Sequence, residues 1–177
     1  GRPETVDIKN FHKLIADDGT PVNRAIVEGA NSFVTPAARI KLQEKGVIVI
    51  RDASANKCGV ISSSYEIIAN LLLSEEEFLN HKDEYVSDVI SILNKRAEDE
   101  ARLIFKRYNQ AGGELQYTEI SDAISTEING HYAKLYDYFK GNLGMCDQPL
   151  YQKAILSHLP EILRNKAQFS RRISSLP

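Results

Sequence analysis

The feature that most constrains the fold is a pair of short apolar runs separated by a helical pattern. The first run is Ala25–Val27, and the second, Val47–Ile50, is a continuous Val/Ile run of the kind found in parallel strands covered on both faces. Between them, Thr35 can cap a helix, Pro36 suits its first position, and Gly46 suits the residue after its last turn. Strand, helix and strand in this order predict a βαβ unit with a right-handed crossover.

The spacing of apolar residues along the chain changes after residue 73. Residues 1–73 alternate short β-branched runs with helical patterns, whereas residues 74–177 show helical spacing of apolar residues almost throughout, interrupted at "NQAGGE" and "GMCDQP". Leu150 to Phe169 are expected to form one or two shorter helices that join near Pro160. We therefore predict an α/β fold in which a parallel unit is followed by a mostly α-helical C-terminal region.

Composition excludes several classes of function. The net charge is −2 with both signs mixed along the chain, so we expect no binding of nucleic acid or of a membrane surface. The longest apolar runs, such as Leu71–Leu73, fall far short of the ~20 residues that cross a bilayer. Cys58 and Cys146 are far apart and the four histidines lack metal-ligand spacing, which predicts reduced thiols, no metal site and an intracellular location.

Two loops rich in small residues follow the predicted strands, "EGANSFVT" and "DASANKCGVISSS". In an open parallel sheet, ligands bind beyond the carboxyl ends of the strands. Small side chains let a flat ligand approach the backbone, and Asn offers both a donor and an acceptor. A helix that begins near Val60 would point its N-terminal N–H groups into the same space and favour a carboxylate. Ordinary tight strand–helix connections explain the same composition equally well.

The same two loops resemble glutamate dehydrogenases. "VEGANSFVTPAA" and "DASANKCGVISSSYE" match the family pattern of EGAN, a helix, a strand and then N-x-G-G-V-T-x-S. "GRPETV", Phe33, the triple Ser62–Ser64 and "KAILSHLPEILRNK" are similar to the large-subunit, NAD-specific type in particular. The resemblance covers nearly the whole chain and is most specific over residues 25–70.

The resemblance implies a role for four residues, with NAD as the cofactor. Asn31 would contact the nicotinamide-ribose end of NAD, and Asn56 would lie beside the nicotinamide and the substrate. Ser63 would hydrogen-bond the distal carboxylate of L-glutamate, and Val60 would pack against the methylene chain of the substrate. A hydroxyl near a helix N-terminus suits a carboxylate partner, and a β-branched side chain suits a stiff pocket wall.

The implied activity is NAD-dependent oxidative deamination of L-glutamate to 2-oxoglutarate and ammonium. Residues 1–73 would then be the second half of a Rossmann-like NAD-binding domain, and residues 74–177 the helical region that follows it. The 177 residues contain no G-x-G-x-x-G/A fingerprint after a strand, and the family's catalytic Lys and Asp come from segments upstream of Gly1. We therefore expect a fragment that is inactive alone, from a homo-oligomeric enzyme of the cytoplasm or mitochondria.

Departures from the family pattern fall in the second loop. Cys58 stands where the family has Gly, and a cysteine would be strained there if the position requires a positive φ. Ile61 stands where the family has Thr. Cys58 is either a redox-sensitive thiol near a helix N-terminus or a small buried thiol. We expect Asp52 to be a structural cap, and Lys57 a loop or phosphate-side residue rather than the catalytic amine.

Two other functions stay open on the sequence. A pocket made more apolar by Val60 and Ile61 would suit another amino-acid dehydrogenase, with a branched or aromatic substrate. Alternatively, residues 74–177 form a non-catalytic regulatory or oligomerisation module. The tyrosines at 132, 136 and 138 are expected in the core or in an interface, because basic residues are not interleaved with them for nucleic-acid contact.

Overall fold

A computed structural model describes residues 2–142, 144 and 148–173. A 3₁₀ turn, Phe11–Leu14, precedes the regular elements. In chain order, these are β1 (Ala25–Val27), α1 (Pro36–Glu44), β2 (Ile48–Ile50), α2 (Asp52–Ala55), α3 (Cys58–Leu72), α4 (Glu75–Gln110), α5 (Tyr117–Gly141), α6 (Pro149–Ser157), α7 (Glu161–Asn165) and α8 (Ala167–Ile173). The chain divides into two compact units, one of residues 1–59 and 97–128 and the other of residues 60–96 and 129–177.

The first unit contains the predicted parallel pair. β1 and β2 run parallel, with Ala25 opposite Ile48 and Val27 opposite Ile50. The connecting helix α1 is capped by Thr35, whose hydroxyl accepts the N–H of Ala38 at 3.4 Å. The helix is followed by Gly46 at a φ of +84°, a conformation that glycine adopts without strain. The prediction of an α/β fold with a strand–helix–strand unit is therefore confirmed.

Apolar burial in the first unit forms two clusters. The cluster around α1 and β2 contains Val34, Ala38, Leu42, Val47 and Val49. Ile50 lies in the other cluster, against buried residues of α4 and α5, namely Ile104, Ile120 and Ile124. The strand β2 thus contributes to both clusters, as its run of apolar side chains on alternating faces requires.

The second unit is entirely helical over its described residues. Its core is formed by Tyr65, Ala69, Leu72, Leu73, Tyr85, Ile162, Leu163 and Phe169. The expected one or two helices between Leu150 and Phe169 are in fact three, because Pro160 and Lys166 each separate helical segments. The expected break at "GMCDQP" and Cys146 lie largely outside the described residues.

One expectation about local structure is wrong. The second loop is not a loop throughout, since α2 begins directly after β2. The helix expected to begin near Val60 is present and begins two residues earlier, at Cys58. Asp52 favours the start of α2, because its carboxylate accepts the N–H of Ala53 at 2.9 Å in the first turn of that helix. Small Ala and Ser side chains are compatible with a helix as well as with a loop.

Of the two places expected for the tyrosines at 132, 136 and 138, the core is wrong and the interface stays a prediction. Tyr132, Tyr136 and Tyr138 of α5 are 67%, 55% and 47% exposed, and the rings of Tyr132 and Tyr136 stack with their centroids 6.1 Å apart. Helical spacing identifies the apolar face of an amphipathic helix, but it does not reveal whether another element covers that face. In the described part of the chain, no helix is long and apolar enough to cross a membrane.

Candidate functional site

The ends of β1 and β2 bring two of the predicted residues together. Because the strands are parallel and adjacent, the segments that follow Val27 and Ile50 leave the sheet at the same edge, and the N–H of Glu28 still bonds to the carbonyl of Ile50 at 3.0 Å. The side chain of Asn56 donates a hydrogen bond from Nδ2 to Oδ1 of Asn31. Asn31 is exposed and Asn56 is half-buried, so both amides can be reached by a ligand.

The first loop, which follows β1, is fixed by a carboxylate from the segment that follows β2. Ser32 follows Asn31 with a φ of +52°, in the left-handed region that residues other than glycine rarely adopt. Its N–H donates to Oδ2 of Asp52 at 2.7 Å. That charge-assisted hydrogen bond helps to offset the cost of the conformation and sets the direction in which the loop leaves Asn31.

A buried ion pair lies beneath the same two loops. Glu28 of the EGAN segment is 3% exposed and accepts two hydrogen bonds from Arg39 of α1, at 2.6 and 2.8 Å. Arg39 also reaches Oδ1 of Asp52 at 3.2 Å. Bidentate geometry of this kind is what lets a guanidinium and a carboxylate be buried together. The network Glu28–Arg39–Asp52 therefore connects the first loop, α1 and the start of α2.

Asp52 is a structural residue, as expected, but it is the first residue of α2 rather than its cap, which is Arg51. Burial alone would raise the pKa of Asp52, but hydrogen bonds from the N–H groups of Ser32 and Ala53, together with the charges of Arg39 and Arg51, hold that pKa below its ordinary value. The carboxylate is thus ionised at neutral pH and serves as an acceptor. Glu28 and Arg39 were not identified from the sequence, because nothing in "EGAN" or "AARIK" marks a charged residue as buried.

Lys57 and Cys58 directly follow Asn56. Neither residue has a strained backbone, and neither side chain is fully exposed. Lys57 forms an ion pair with Glu100 of α4, with 2.5 Å between Nζ and Oε2. Cys58 is the first residue of α3 and is half-buried. Among the described residues other than glycine, a positive φ occurs at Glu4 and Ser32. The strain that a cysteine could have caused at position 58 is therefore absent.

The other two predicted residues lie in the first turns of α3, in the second unit. Val60 is 77% exposed and Ser63 is also exposed. Residues three apart lie on the same face of a helix, so the apolar side chain and the hydroxyl point in similar directions. A groove of about 700 Å³ lies beside the buried face of α3, and neither Val60 nor Ser63 lines it.

The two pairs of predicted residues, one in each unit, offer neutral hydrogen-bonding groups rather than a catalytic acid or base. The two amides of Asn31 and Asn56 present donors and acceptors that match a carboxamide or a sugar hydroxyl, and the face of Val60 and Ser63 combines an apolar contact with a donor. No group of three or more His, Cys, Asp or Glu residues in the described ranges could hold a metal ion.

Comparisons with known proteins agree on one family. The family model for Glutamate/Leucine/Phenylalanine/Valine dehydrogenase matches residues 1–124. The "Probable NAD-specific glutamate dehydrogenase" of Schizosaccharomyces pombe is 34% identical and covers 100% of the chain, and the "NAD-specific glutamate dehydrogenase" of Neurospora crassa is 32% identical and also covers 100% of it. "Glutamate dehydrogenase 2" of Dictyostelium discoideum is 35% identical over 93% of the chain.

The chain is much shorter than these relatives. It spans 16%, 16% and 17% of the lengths of the Schizosaccharomyces, Dictyostelium and Neurospora proteins. No solved structure matches the chain.

Proposed function

The chain belongs to the Glutamate/Leucine/Phenylalanine/Valine dehydrogenase family, and from this premise we propose that it is part of an NAD-dependent glutamate dehydrogenase. The reaction oxidises L-glutamate at its α-carbon to an imine, and water then displaces the nitrogen to leave 2-oxoglutarate and ammonium. Relatives that bear the name NAD-specific glutamate dehydrogenase and match the whole chain support this choice.

Within that enzyme, residues 1–73 form the second half of a Rossmann-like NAD-binding domain, and residues 74–177 form a helical region that follows it. The parallel pair of β1 and β2 joined by α1 supports the first assignment, because such pairs build doubly wound sheets that bind ligands beyond their carboxyl ends. These 177 residues contain no phosphate-binding fingerprint after a strand, so we expect no dehydrogenase activity from them alone.

The observation that carries the proposal is the hydrogen bond between Asn56 and Asn31 at the ends of two adjacent parallel strands. We assign Asn31 to the nicotinamide-ribose end of NAD and Asn56 to the space beside the nicotinamide and the substrate. When bound, NAD supplies the acceptor for the hydride that leaves the α-carbon. Glu28, Arg39 and Asp52 lie behind the amides and hold them in position, which lowers the cost of ordering the loops on binding.

We assign Val60 and Ser63, on α3 of the second unit, to the selection of the substrate. The hydroxyl of Ser63 donates to the distal carboxylate of glutamate, and Val60 packs on the methylene groups between the two carboxylates. A site built to hydrogen-bond one group of a substrate discriminates against analogues that lack the group, because the partner is then left unpaired. Exposure of both side chains on one face of α3 is consistent with contact to a ligand.

Replacing Ser63 by Ala in the complete enzyme tests this assignment. Loss of a hydrogen bond to a charged group costs about 1.5–3 kcal/mol, so kcat/KM for glutamate should fall about 10- to 150-fold while KM for NAD is unchanged. Ser64→Ala is the matched control, since Ser64 is also exposed in the same turn of α3 but lies about 100° further round the helix. Equal kinetics for Ser63→Ala and Ser64→Ala would refute the role of Ser63.

A second candidate is an enzyme for another amino acid of the same family. Val60 and Ile61 are both apolar near the start of α3, and the family includes leucine, phenylalanine and valine dehydrogenases. Initial rates of the complete enzyme with glutamate, leucine, phenylalanine and valine separate the two candidates. Turnover of leucine without turnover of glutamate would favour the second.

We also propose that the enzyme is a homo-oligomer located in the cytoplasm or in mitochondria. The exposed apolar and aromatic side chains of α5, among them Tyr132, Leu135 and Tyr136, support assembly, because patches of this kind commonly mark interfaces. Light scattering of the complete enzyme tests the first part, and a mass equal to one subunit at high concentration would contradict it.

A further inference from the structure

A pocket in the helical unit carries a surplus of positive charge. It has a volume of about 440 Å³ and lies between the middle of α4 and the turn that joins α6 to α7. Lys95 and Arg96 line it from α4, and His158 and Arg164 line it from the other side. This volume is in the range of sites that hold small metabolites. None of the residues assigned to NAD or glutamate lines the pocket.

Arg164 has a donor that the protein does not satisfy. Its Nε is buried and has no hydrogen-bond partner among the described residues. The other end of the guanidinium, Nη2, lies 3.5 Å from Glu161, whose side chain is 69% exposed. A buried donor without an acceptor is costly, but Nε is closed to a water-sized oxygen, so a ligand in the pocket would accept from the outer nitrogens of the Arg164 guanidinium.

Arg96 is held in place by an aromatic ring rather than by a carboxylate. Its Nη2 donates to the hydroxyl of Tyr65 at 3.0 Å, and its guanidinium carbon lies 5.8 Å from the centre of that ring. The same hydroxyl donates to the carbonyl of His158 at 3.2 Å, which anchors the tyrosine. In the described chain, Arg96 makes no ion pair with an acidic side chain, so its charge is not neutralised locally.

The carboxylates of the pocket are engaged or solvated. Asp88 accepts the N–H of Ile162 at 2.8 Å, and Glu161 extends toward solvent. Three cationic side chains, Lys95, Arg96 and Arg164, and two carboxylates line the pocket, so the formal charges of the lining residues sum to +1. Ile92 and Leu159 add an apolar wall.

We propose that this pocket binds a phosphate dianion, either free or as the monoester of a small metabolite. Guanidinium groups match phosphate oxygens in charge and in geometry, and Arg96 and Arg164 line the pocket from two different helices. The apolar wall and the volume leave room for a small organic group. The site is additional to the proposed dehydrogenase site and does not depend on it.

The test is calorimetric titration of the chain with inorganic phosphate and with glycerol 3-phosphate, at constant ionic strength. We expect saturable binding, and at least a tenfold increase in Kd for Arg96→Gln and for Arg164→Gln. Arg102→Gln is the matched control, because Arg102 lies on the same helix, is exposed and pairs with Glu98 outside the pocket. Its Kd should equal that of the unaltered chain.

Folding of each variant is checked by far-UV circular dichroism. If Arg96→Gln unfolds because it loses the contact with Tyr65, Arg164→Gln alone tests the proposal. Tighter binding of glycerol 3-phosphate than of phosphate would support a monoester as the ligand, whereas equal affinities would support free phosphate. The proposal is overturned if neither probe binds saturably, if Arg164→Gln binds like the unaltered chain, or if succinate binds more tightly than both.

Discussion

The two units of the chain place their charges differently. In the first unit, Glu28 and Arg39 are buried beside the ends of the strands. In the second unit, the core is apolar and aromatic, and ion pairs such as Glu77–Arg172 and Glu84–Lys166 lie toward its margin. Burying an ion pair rarely increases stability over apolar packing, so its presence needs another reason.

That reason is the positioning of loops. Apolar contacts in the second unit hold helices together, and many side-chain arrangements would serve equally well. The first unit must also fix two loops in specific conformations, and hydrogen bonds between charged groups are directional where apolar contacts are not. Charge is therefore buried where direction matters and is left near the surface where only packing matters.

The largest expected effect comes from Arg39→Met, which leaves Glu28 buried without its partner. Removing one member of a buried ion pair costs about 3–5 kcal/mol, and we expect a loss of this size in the free energy of unfolding measured by urea denaturation. The matched control is Lys41→Met in the same helix, because the pair Lys41–Glu44 is about half-exposed and should contribute less than about 1 kcal/mol.

The double variant Glu28→Leu/Arg39→Met separates positioning from stability. Removing both charges should restore most of the unfolding free energy, because no unpaired charge remains. In the complete enzyme the double variant should still bind NAD poorly, since the charged network from Glu28 through Arg39 to Asp52 is then lost and the hydrogen bond from Ser32 alone holds the first loop. Normal NAD binding by the double variant would mean that the pair does not position the loops.

A smaller effect is expected from Tyr85→Phe in the core of the second unit. The hydroxyl of Tyr85 donates to the carbonyl of Tyr65 at 2.6 Å, and its loss should cost about 1 kcal/mol at neutral pH. Burial, with a further contribution from Tyr65, raises the pKa of Tyr85 from 10 to about 12. The folded state therefore keeps the neutral phenol while the unfolded state ionises, and this contribution to stability is lost as the pH rises from 10 to 12.

Thermal unfolding across that pH range measures the effect. The alkaline decline in Tm should be shallower for Tyr85→Phe than for the unaltered chain, and Tyr132→Phe, at an exposed position, should leave it unchanged. A loss of stability as large as that of Arg39→Met would show that the second unit also depends on a buried polar contact, and the two units would then not differ in this respect.

The smallest effect is expected at the margin of the second unit, from Glu77→Gln. A hydrogen-bonded pair with Arg172, together with the N–H of Ser74, lowers the pKa of Glu77 from 4.5 to about 2. A carboxyl group with a depressed pKa stabilises the fold above the unfolded-state value of 4.5, and this contribution is lost as the pH falls to about 2. The difference in Tm between the chain and Glu77→Gln should therefore be present at pH 7 and vanish near pH 2.

Added salt should also reduce that difference, because the pair is accessible to solvent. Glu76→Gln provides the control, since Glu76 is exposed in the same first turn of α4. A difference in Tm that is independent of both pH and salt would show that packing, and not charge, accounts for the effect of residue 77.

Much of the first unit could be predicted from the sequence, because its signals are local. Thr35, Pro36 and Gly46 mark the ends of α1, and the apolar runs on either side mark the strands. The contact between Asn31 and Asn56 then follows from the adjacency of parallel strands. The roles of Asn31, Asn56, Val60 and Ser63 in binding stay predictions until ligand binding is measured.

The rest depends on contacts that no local pattern encodes. Glu28 and Arg39 are eleven residues apart and resemble ordinary surface residues until the fold buries them together. The four residues of α2 are small and suit either a loop or a helix, so tertiary context decides between the two. The division into residues 1–73 and 74–177 likewise reflects sequence texture and stays a prediction.

The hydrogen bond from Ser32 to Asp52 has a consequence for any redesign of the first loop. A first loop transplanted from another dehydrogenase would lose the partner that holds its left-handed residue, unless residue 52 were transplanted with it. Specificity libraries that vary one segment at a time would discard productive combinations as misfolded. Positions 32 and 52 are better randomised as a pair, with glycine allowed at 32 to relieve the need for the carboxylate.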